Sequence, residues 1–192
     1  MKRFRPLALL GGLLLAPTLA FAAPSGSWAG PHIGVLFGAN SVSSDSTSNE
    51  VAFATTFMAG YDWQLARHFV LGVDGFYQWN ADKTHDIENC AGCTVSYGSK
   101  VYGLTGRAGF PFGKGNVFMP YVKLGYGWYN LSGDVSNSAG SVRYGVGFEW
   151  MSDTGTASLL VQFTHQSLDT PGGSGLGTIS NNIFSIGANF FF

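Results

Sequence analysis

The segment "SVRYGVGFEW", residues 141–150, alternates between two kinds of side chain over its whole length. Its bulky residues occupy every second position: Val142, Tyr144, Val146, Phe148 and Trp150. The intervening positions hold Ser141, two glycines and both charges, Arg143 and Glu149. Successive side chains of a strand point to opposite faces, so this pattern predicts a β-strand with one bulky face and one charged, glycine-rich face. Which face points inward decides the fold class.

The composition of the chain narrows the choice. Its 192 residues are 45% hydrophobic and 11% charged, with a net charge of −1 and 28 glycines, which argues against a nucleic-acid surface or an acidic disordered tail. Lys2, Arg3 and Arg5 precede an apolar stretch and a small-x-small site at residues 20–22, the pattern of a secretory signal peptide. We therefore expect a signal peptide over residues 1–22 and one exported domain over 23–192, with no run near the ~20 apolar residues of a membrane helix.

The alternation of the opening segment recurs along the exported chain. Segments of about ten residues with period-two alternation are separated by clusters of Gly, Ser, Asn and Asp, which predicts strands joined by turns. We predict eight strands, near residues 31–40, 51–63, 69–79, 99–110, 118–129, 141–150, 157–164 and 184–192.

Charged residues indicate the orientation of these strands. We expect the bulky face to carry no charge within the strands. Three acids and three bases fall on the polar, glycine-rich face: Asp62, Asp74, Arg107, Lys123, Arg143 and Glu149. The water-facing side of a soluble sheet would normally carry scattered charges and few glycines. In a transmembrane barrel the bulky face meets lipid, and the polar face lines a narrow lumen in which opposite charges pair. The sequence thus predicts an all-β protein, an eight-stranded antiparallel up-and-down transmembrane β-barrel.

Aromatic residues on the bulky face gather near the strand ends, as expected for two interfacial girdles. One girdle comprises Trp63, Phe69, Phe110, Phe118, Trp150 and Phe192, and the other Tyr77, Trp79, Tyr102, Tyr126 and Trp128. With a periplasmic N-terminus, the turns after residues 63, 110 and 150 are expected to be periplasmic. The extracellular loops are expected near residues 41–50, 80–98, 130–140 and 168–181.

Four stretches resemble a known family: "WAGPHIGVLFGAN", "PYVKLGYGWYN", "YGVGFEWMSDTGTASLLVQFTHQSLD" and the ending "NNIFSIGANFFF". Together they resemble the eight-stranded outer-membrane barrels that include outer-membrane protein A and the opacity-type porin family. The resemblance implies location in the outer membrane of a Gram-negative cell and recognition of Phe192 by the barrel assembly machinery. No peptidoglycan-binding domain follows the barrel, so the cell-wall anchoring of longer relatives is not expected.

Cys90 and Cys93, in "NCAGC", lie in the longest expected loop of an exported chain. Oxidising surroundings favour a disulfide between them. The alternatives are free thiols and a redox or metal site. Nearby acids and a histidine could complete the redox or metal site: Asp82, His85, Asp86 and Glu88. A single CxxC without a second pair is a weak metal signal, so no metal is expected.

The luminal charges also allow two interpretations. A plug of ion pairs is expected, because an unpaired charge in a narrow lumen is costly. The alternative is a gated pore in which pairs among Asp74, Lys123 and Arg143 rearrange. The Gly-rich stretch at residues 171–177 lacks the Lys-Ser/Thr of a phosphate-binding loop, and no cofactor is expected.

The stretch "FTHQS", residues 163–167, holds the one arrangement typical of an enzyme. His165 and Ser167 share the outward face of the seventh strand, where a base could activate a hydroxyl beside outer-leaflet lipid. They resemble the His-x-Ser of the outer-membrane lipid A 3-O-deacylases. That family also needs an acid on the neighbouring strand, where this chain has Asn182, with Asp169 as a possible substitute.

Two function classes follow from these patterns. The first is a non-enzymatic outer-membrane barrel with a plugged lumen and four surface loops, in a structural, adhesive or interaction role. The second is a lipid A deacylase-like hydrolase that uses His165 and Ser167. For the first we expect a monomer whose partners are outer-membrane lipid and lipopolysaccharide, the assembly machinery, and a host or surface ligand at the loops, without nucleic acid.

Overall fold

Eight β-strands form the molecule in a computed structural model that describes residues 28–44, 47–86, 94–133, 138–169 and 178–192. Their bounds are β1 Gly30–Ser44, β2 Thr47–Ala66, β3 Phe69–Asp86, β4 Thr94–Gly109, β5 Phe118–Gly133, β6 Ser138–Met151, β7 Ala157–Asp169 and β8 Thr178–Phe191. A short 3-10 turn, Lys114–Asn116, lies between β4 and β5. No helix within these ranges is long and apolar enough to cross a membrane.

The sheet is closed on itself. Each strand pairs antiparallel with the next in sequence, and β1 pairs with β8 from His32↔Phe191 to Ser44↔Ile179. Closure satisfies the backbone hydrogen bonds of every strand inside the sheet, which is the condition for crossing a bilayer with strands. The predicted eight-stranded up-and-down barrel is confirmed.

Exposure of the side chains decides which face is inside. On β6 the bulky residues point outward, and Val146 and Trp150 are 53% and 61% exposed. Arg143 and Glu149 on the same strand point inward, with 2% and 0% of their surface exposed. The charged face therefore lines the lumen, as the alternation predicts.

Lys100 departs from the expected charge pattern. It is exposed on β4, one residue from the inward-facing Val101, so a charge does lie on the outward face. The register places it opposite Trp79 of β3, within the aromatic girdle. At that level a lysine can extend its charged end towards water, so the charge does not have to enter the apolar part of the membrane.

The strands are longer than the alternation predicts, chiefly at the end opposite the chain termini. Strands β2, β3 and β4 extend into residues that the sequence assigned to loops 41–50 and 80–98, and the expected loops at 130–140 and 168–181 are also partly strand. Beyond the membrane both faces of a strand can be polar, so the alternation fades while the backbone pairing continues.

The turns at the end that carries the termini are short, as predicted. Arg67 and His68 join β2 to β3, and residues 152–156 join β6 to β7. Between β4 and β5 the chain needs left-handed conformations at Gly113, Gly115 and Asn116, with φ of 83°, 78° and 56°. Glycine adopts such values without a steric cost.

An apolar cluster fills the lumen at this same end. It consists of Trp28, Val70, Met119, Met151 and Phe191, all buried. Trp28 precedes β1, and its indole Nε1 donates a hydrogen bond to Asn116 O at 2.7 Å while its backbone N donates to Gln64 Oε1 at 3.0 Å. The polar lumen predicted from the sequence is therefore capped by hydrophobic side chains at one mouth.

Orientation of the wall can be tested at Val146, which lies outward in the middle of β6. Val146→Arg should impair insertion and heat-modifiable migration on SDS gels, because a mid-membrane arginine costs ~2–4 kcal/mol. Val146→Leu at the same site is the matched control and should insert normally. Normal insertion of Val146→Arg would mean that this face does not meet lipid.

Candidate functional site

Arg107 is the centre of an ion-pair network inside the barrel. Its Nε donates to Asp62 Oδ1 at 2.9 Å, its Nη2 donates to Asp62 Oδ2, and its Nη1 donates to Glu149 Oε2 at 2.7 Å. The three side chains are 0–2% exposed. Because β4, β2 and β6 supply them, the guanidinium connects strands that are not neighbours in the sheet.

Glu149 receives further hydrogen bonds from the other side of the barrel. Ser158 of β7 donates its hydroxyl to Oε1, and Asn189 of β8 donates its amide to the same oxygen at 2.7 Å. A buried carboxylate is stable only when its oxygens are bonded. Here an arginine and two neutral donors meet that requirement.

His32 on β1 belongs to this network, although the sequence analysis did not select it. Its Nε2 donates to Asp74 Oδ1 at 2.7 Å, and its Nδ1 lies 3.7 Å from Asp62 Oδ2. The sequence does carry a signal for this position. His32 lies between the outward-facing Pro31 and Ile33, so alternation along the strand points its side chain into the lumen. The expectation considered only Asp, Glu, Lys and Arg, so the histidine was missed.

Lys123 and Arg143 do not follow the expected pairing. In the part of the chain that the structure describes, neither lies within 4.0 Å of a carboxylate oxygen. Lys123 Nζ donates to Gln162 Oε1 at 2.7 Å, and Arg143 Nη1 donates to Gln78 Oε1 at 2.8 Å. The reason is that Arg107 and His32 already occupy the three acids.

Side chains crowd the lumen between Gly72 and Arg107. A Cβ built on Gly72 would lie 2.9 Å from Arg107 Cγ and would also collide with the Asp62 carboxylate. Glycine at this position thus leaves room for the ion pair. An eight-stranded bore is just wide enough for such side chains, which agrees with a closed centre.

A second polar arrangement lies on the outer wall. His165 Nδ1 is 2.8 Å from Asn182 Oδ1, and His165 Nε2 is 2.9 Å from Ser167 Oγ. The β7–β8 register places His165 directly opposite Asn182, and the Tyr144 ring of β6 lies 5.0 Å from the imidazole. The three residues predicted from the sequence are therefore brought together in the order Ser–His–Asn.

Other predicted site residues fall outside the described residues. These are Cys90, Cys93, Glu88 and the Gly-rich stretch 171–177. For Asp82, His85, Asp86 and Asp169 the structure describes the backbone as strand but not the side chain. The disulfide and the loop metal site remain predictions. Among the described residues, no group of His, Cys, Asp and Glu has the arrangement of a metal site.

The sequence matches a family model described as the outer membrane protein beta-barrel domain, over residues 7–192. The chain belongs to this family. Membership agrees with the closed barrel and its lipid-facing wall, and it places the protein in the outer membrane. Comparison with curated protein sequences gives no match.

Solved structures of the same shape are distant in sequence. Neisserial surface protein A (NspA) is similar with a TM-score of 0.60 and 15% identity, covering 85% of this chain and 98% of that one. Ail, the attachment invasion locus protein of Yersinia pestis, has a TM-score of 0.54 and 18% identity, covering 85% and 99%. The outer membrane enzyme PagL has a TM-score of 0.53 and 14% identity, covering 84% and 99%. At these identities the likeness establishes the fold of this family member and nothing finer.

The contact between Glu149 and Arg107 can be measured with a double-mutant cycle. Glu149→Gln should lower the free energy of unfolding in detergent by about 3 kcal/mol, because it removes the charge that compensates a buried guanidinium. Combined with Arg107→Gln, it should show a coupling energy within the range of about 0.5–3 kcal/mol.

Lys123→Gln serves as the matched control, because Lys123 bonds Gln162 and not Glu149. Its cycle with Glu149→Gln should be additive within about 0.5 kcal/mol. Additivity in the Arg107 cycle, or strong coupling in the Lys123 cycle, would contradict a direct contact between Glu149 and Arg107.

Proposed function

We propose that this protein is a non-enzymatic outer-membrane barrel whose lumen is plugged and whose activity resides in its extracellular surface. The role is structural, adhesive or interactive. The observation that carries this proposal is the network around Arg107 and Glu149, which joins buried polar side chains across the bore.

Hydrogen bonds across the lumen support the plug. The network around Arg107 connects seven of the eight strands. Its members are His32 on β1, Asp62 on β2, Asp74 on β3, Arg107 on β4, Glu149 on β6, Ser158 on β7 and Asn189 on β8. Lys123 joins β5 to β7 through Gln162. Opening a water path through this level would require separating several charge-assisted hydrogen bonds at once, and the Trp28 cluster adds an apolar cap.

The same proposal includes partners for the outside of the barrel. Bulky outward residues face membrane lipid and lipopolysaccharide, and a ligand on a host or another surface would bind the loops. Phe192, which is 63% exposed at the end of the chain, is offered to the assembly machinery. A closed sheet has no unpaired edge to recruit a second copy, which favours a monomer.

A second candidate is a serine hydrolase of outer-leaflet lipid, in the manner of a lipid A deacylase. The hydrogen bonds of His165 with Asn182 and Ser167 favour it. If the imidazole Nδ1–H donates to the Asn182 oxygen, Nε2 is left to accept the Ser167 proton, the arrangement needed to activate a hydroxyl. An asparagine performs this orienting task in the Cys-His-Asn proteases.

Asn182 is also the reason that this candidate ranks second, because its side chain is an amide and not a carboxylate. In a serine triad the third residue is normally a carboxylate, which stabilises the imidazolium that forms when serine attacks. Asn182 orients the ring without supplying a negative charge. The only additional carboxylate considered from the sequence is Asp169.

Mass spectra of lipid A distinguish the two candidates. Cells with the gene deleted, restored, or carrying Ser167→Ala should give identical acyl-chain patterns if the barrel is not an enzyme. Ser152→Ala, an exposed serine at the other end of the barrel, is the matched control. An acyl chain that is lost only when Ser167 is present would overturn the first proposal and establish the second.

A further inference from the structure

Among the described residues, two luminal cations have no carboxylate oxygen within 4.0 Å. Arg143 is 2% exposed, and within that part of the chain its Nη1 bonds the neutral Gln78 while its Nε has no hydrogen-bond acceptor. Lys123 uses its ammonium for a hydrogen bond to Gln162, although an ammonium has three protons to donate. A buried cation without a counter-charge is costly, so this pair calls for a compensating group.

Both cations line one small cavity inside the barrel. About 20 Å³ of it is open to a water-sized sphere, enough for one water molecule or one monatomic ion. Three cationic side chains reach the cavity, Arg107, Lys123 and Arg143, against a single carboxylate, that of Asp74. Arg107 is already paired with Asp62 and Glu149, so Asp74 is left to offset both Lys123 and Arg143, and the lining carries an excess of one positive charge.

Neighbouring side chains leave further hydrogen-bonding capacity unused. Gln166 lies directly opposite Arg143 in the β6–β7 register, is 0% exposed, and has an amide whose Nε2 and Oε1 both lack a partner among the described residues. Phe76 covers one face of the Arg143 guanidinium, with Cζ 4.3 Å from the ring centroid. The guanidinium is thus held by an aromatic face and one amide, and its Nε edge is left for another acceptor.

We propose that the lumen binds a monatomic inorganic anion, such as chloride, between the Lys123 ammonium and the Arg143 guanidinium. A monatomic ion suits the part of the cavity that a water-sized sphere can enter. The anion accepts hydrogen bonds from both cations and offsets the positive charge that Asp74, the one carboxylate of the cavity lining, leaves uncompensated. This site is separate from the outward Ser167 and does not depend on whether the barrel is an enzyme.

Halide-dependent stability tests the site. Thermal unfolding of the whole barrel in detergent micelles would be followed by circular dichroism in sodium chloride, sodium bromide and sodium gluconate at equal ionic strength. A ligand that binds only the folded state raises the unfolding midpoint. We expect higher midpoints in chloride and bromide than in gluconate, which is too large for the cavity.

Arg143→Met should abolish that difference between salts, and Lys100→Met, which removes an outward cation, should retain it. The same midpoint in chloride and gluconate for the unmodified protein would overturn the proposal, as would an unchanged difference in Arg143→Met.

Bromide diffraction provides a measurement that needs no variant to fold. Crystals grown in sodium bromide should show an anomalous peak between Lys123 Nζ and Arg143 Nε. Absence of a peak in that cavity, at a resolution where ordered bromide is visible elsewhere, would also overturn the proposal.

Discussion

The hydrogen bonds between β1 and β8 close the sheet, and the interior of this molecule depends on that closure. An open sheet of the same strands would leave two rows of backbone N–H and C=O groups in hydrocarbon, which a bilayer does not permit. Closing eight strands leaves a bore that side chains fill. Polar residues that face inward must then find partners within a space set by the strand number.

Arg107 shows how the chain meets this requirement. Its guanidinium can donate in several directions within one plane, so a single residue bonds Asp62 on one side and Glu149 on the other. Glycines such as Gly72 provide the room. Removing one member would leave a buried charge without compensation, so the network favours one arrangement of the lumen over alternatives.

Much of this fold could be predicted from the sequence. Alternation along residues 141–150 assigned Val146 to lipid and Arg143 to the lumen, because the period of a strand fixes the face of each side chain. The same rule put His165 and Ser167 on the outer wall. It did not settle most contacts across the lumen, since these depend on strand stagger, which has no local sequence signal. For this reason the sequence predicted neither the pairing of His32 with Asp74 nor the neutral partners of Lys123 and Arg143.

Packing inside the lumen was also beyond the alternation. At Gly147 the alternation gave the luminal direction, but only the structure shows that a Cβ there would collide with Tyr121. The apolar cap was missed because Trp28 lies before the first strand.

Ion conductance in planar lipid bilayers tests the closed lumen most directly. The unmodified barrel should give no sustained openings, because the Arg107 network and the Trp28 cluster block the path at two levels. Arg107→Ala combined with Trp28→Ala should introduce openings if those residues form the block. Sustained openings of the unmodified barrel would contradict the account, since they require a continuous water path where the structure places bonded side chains.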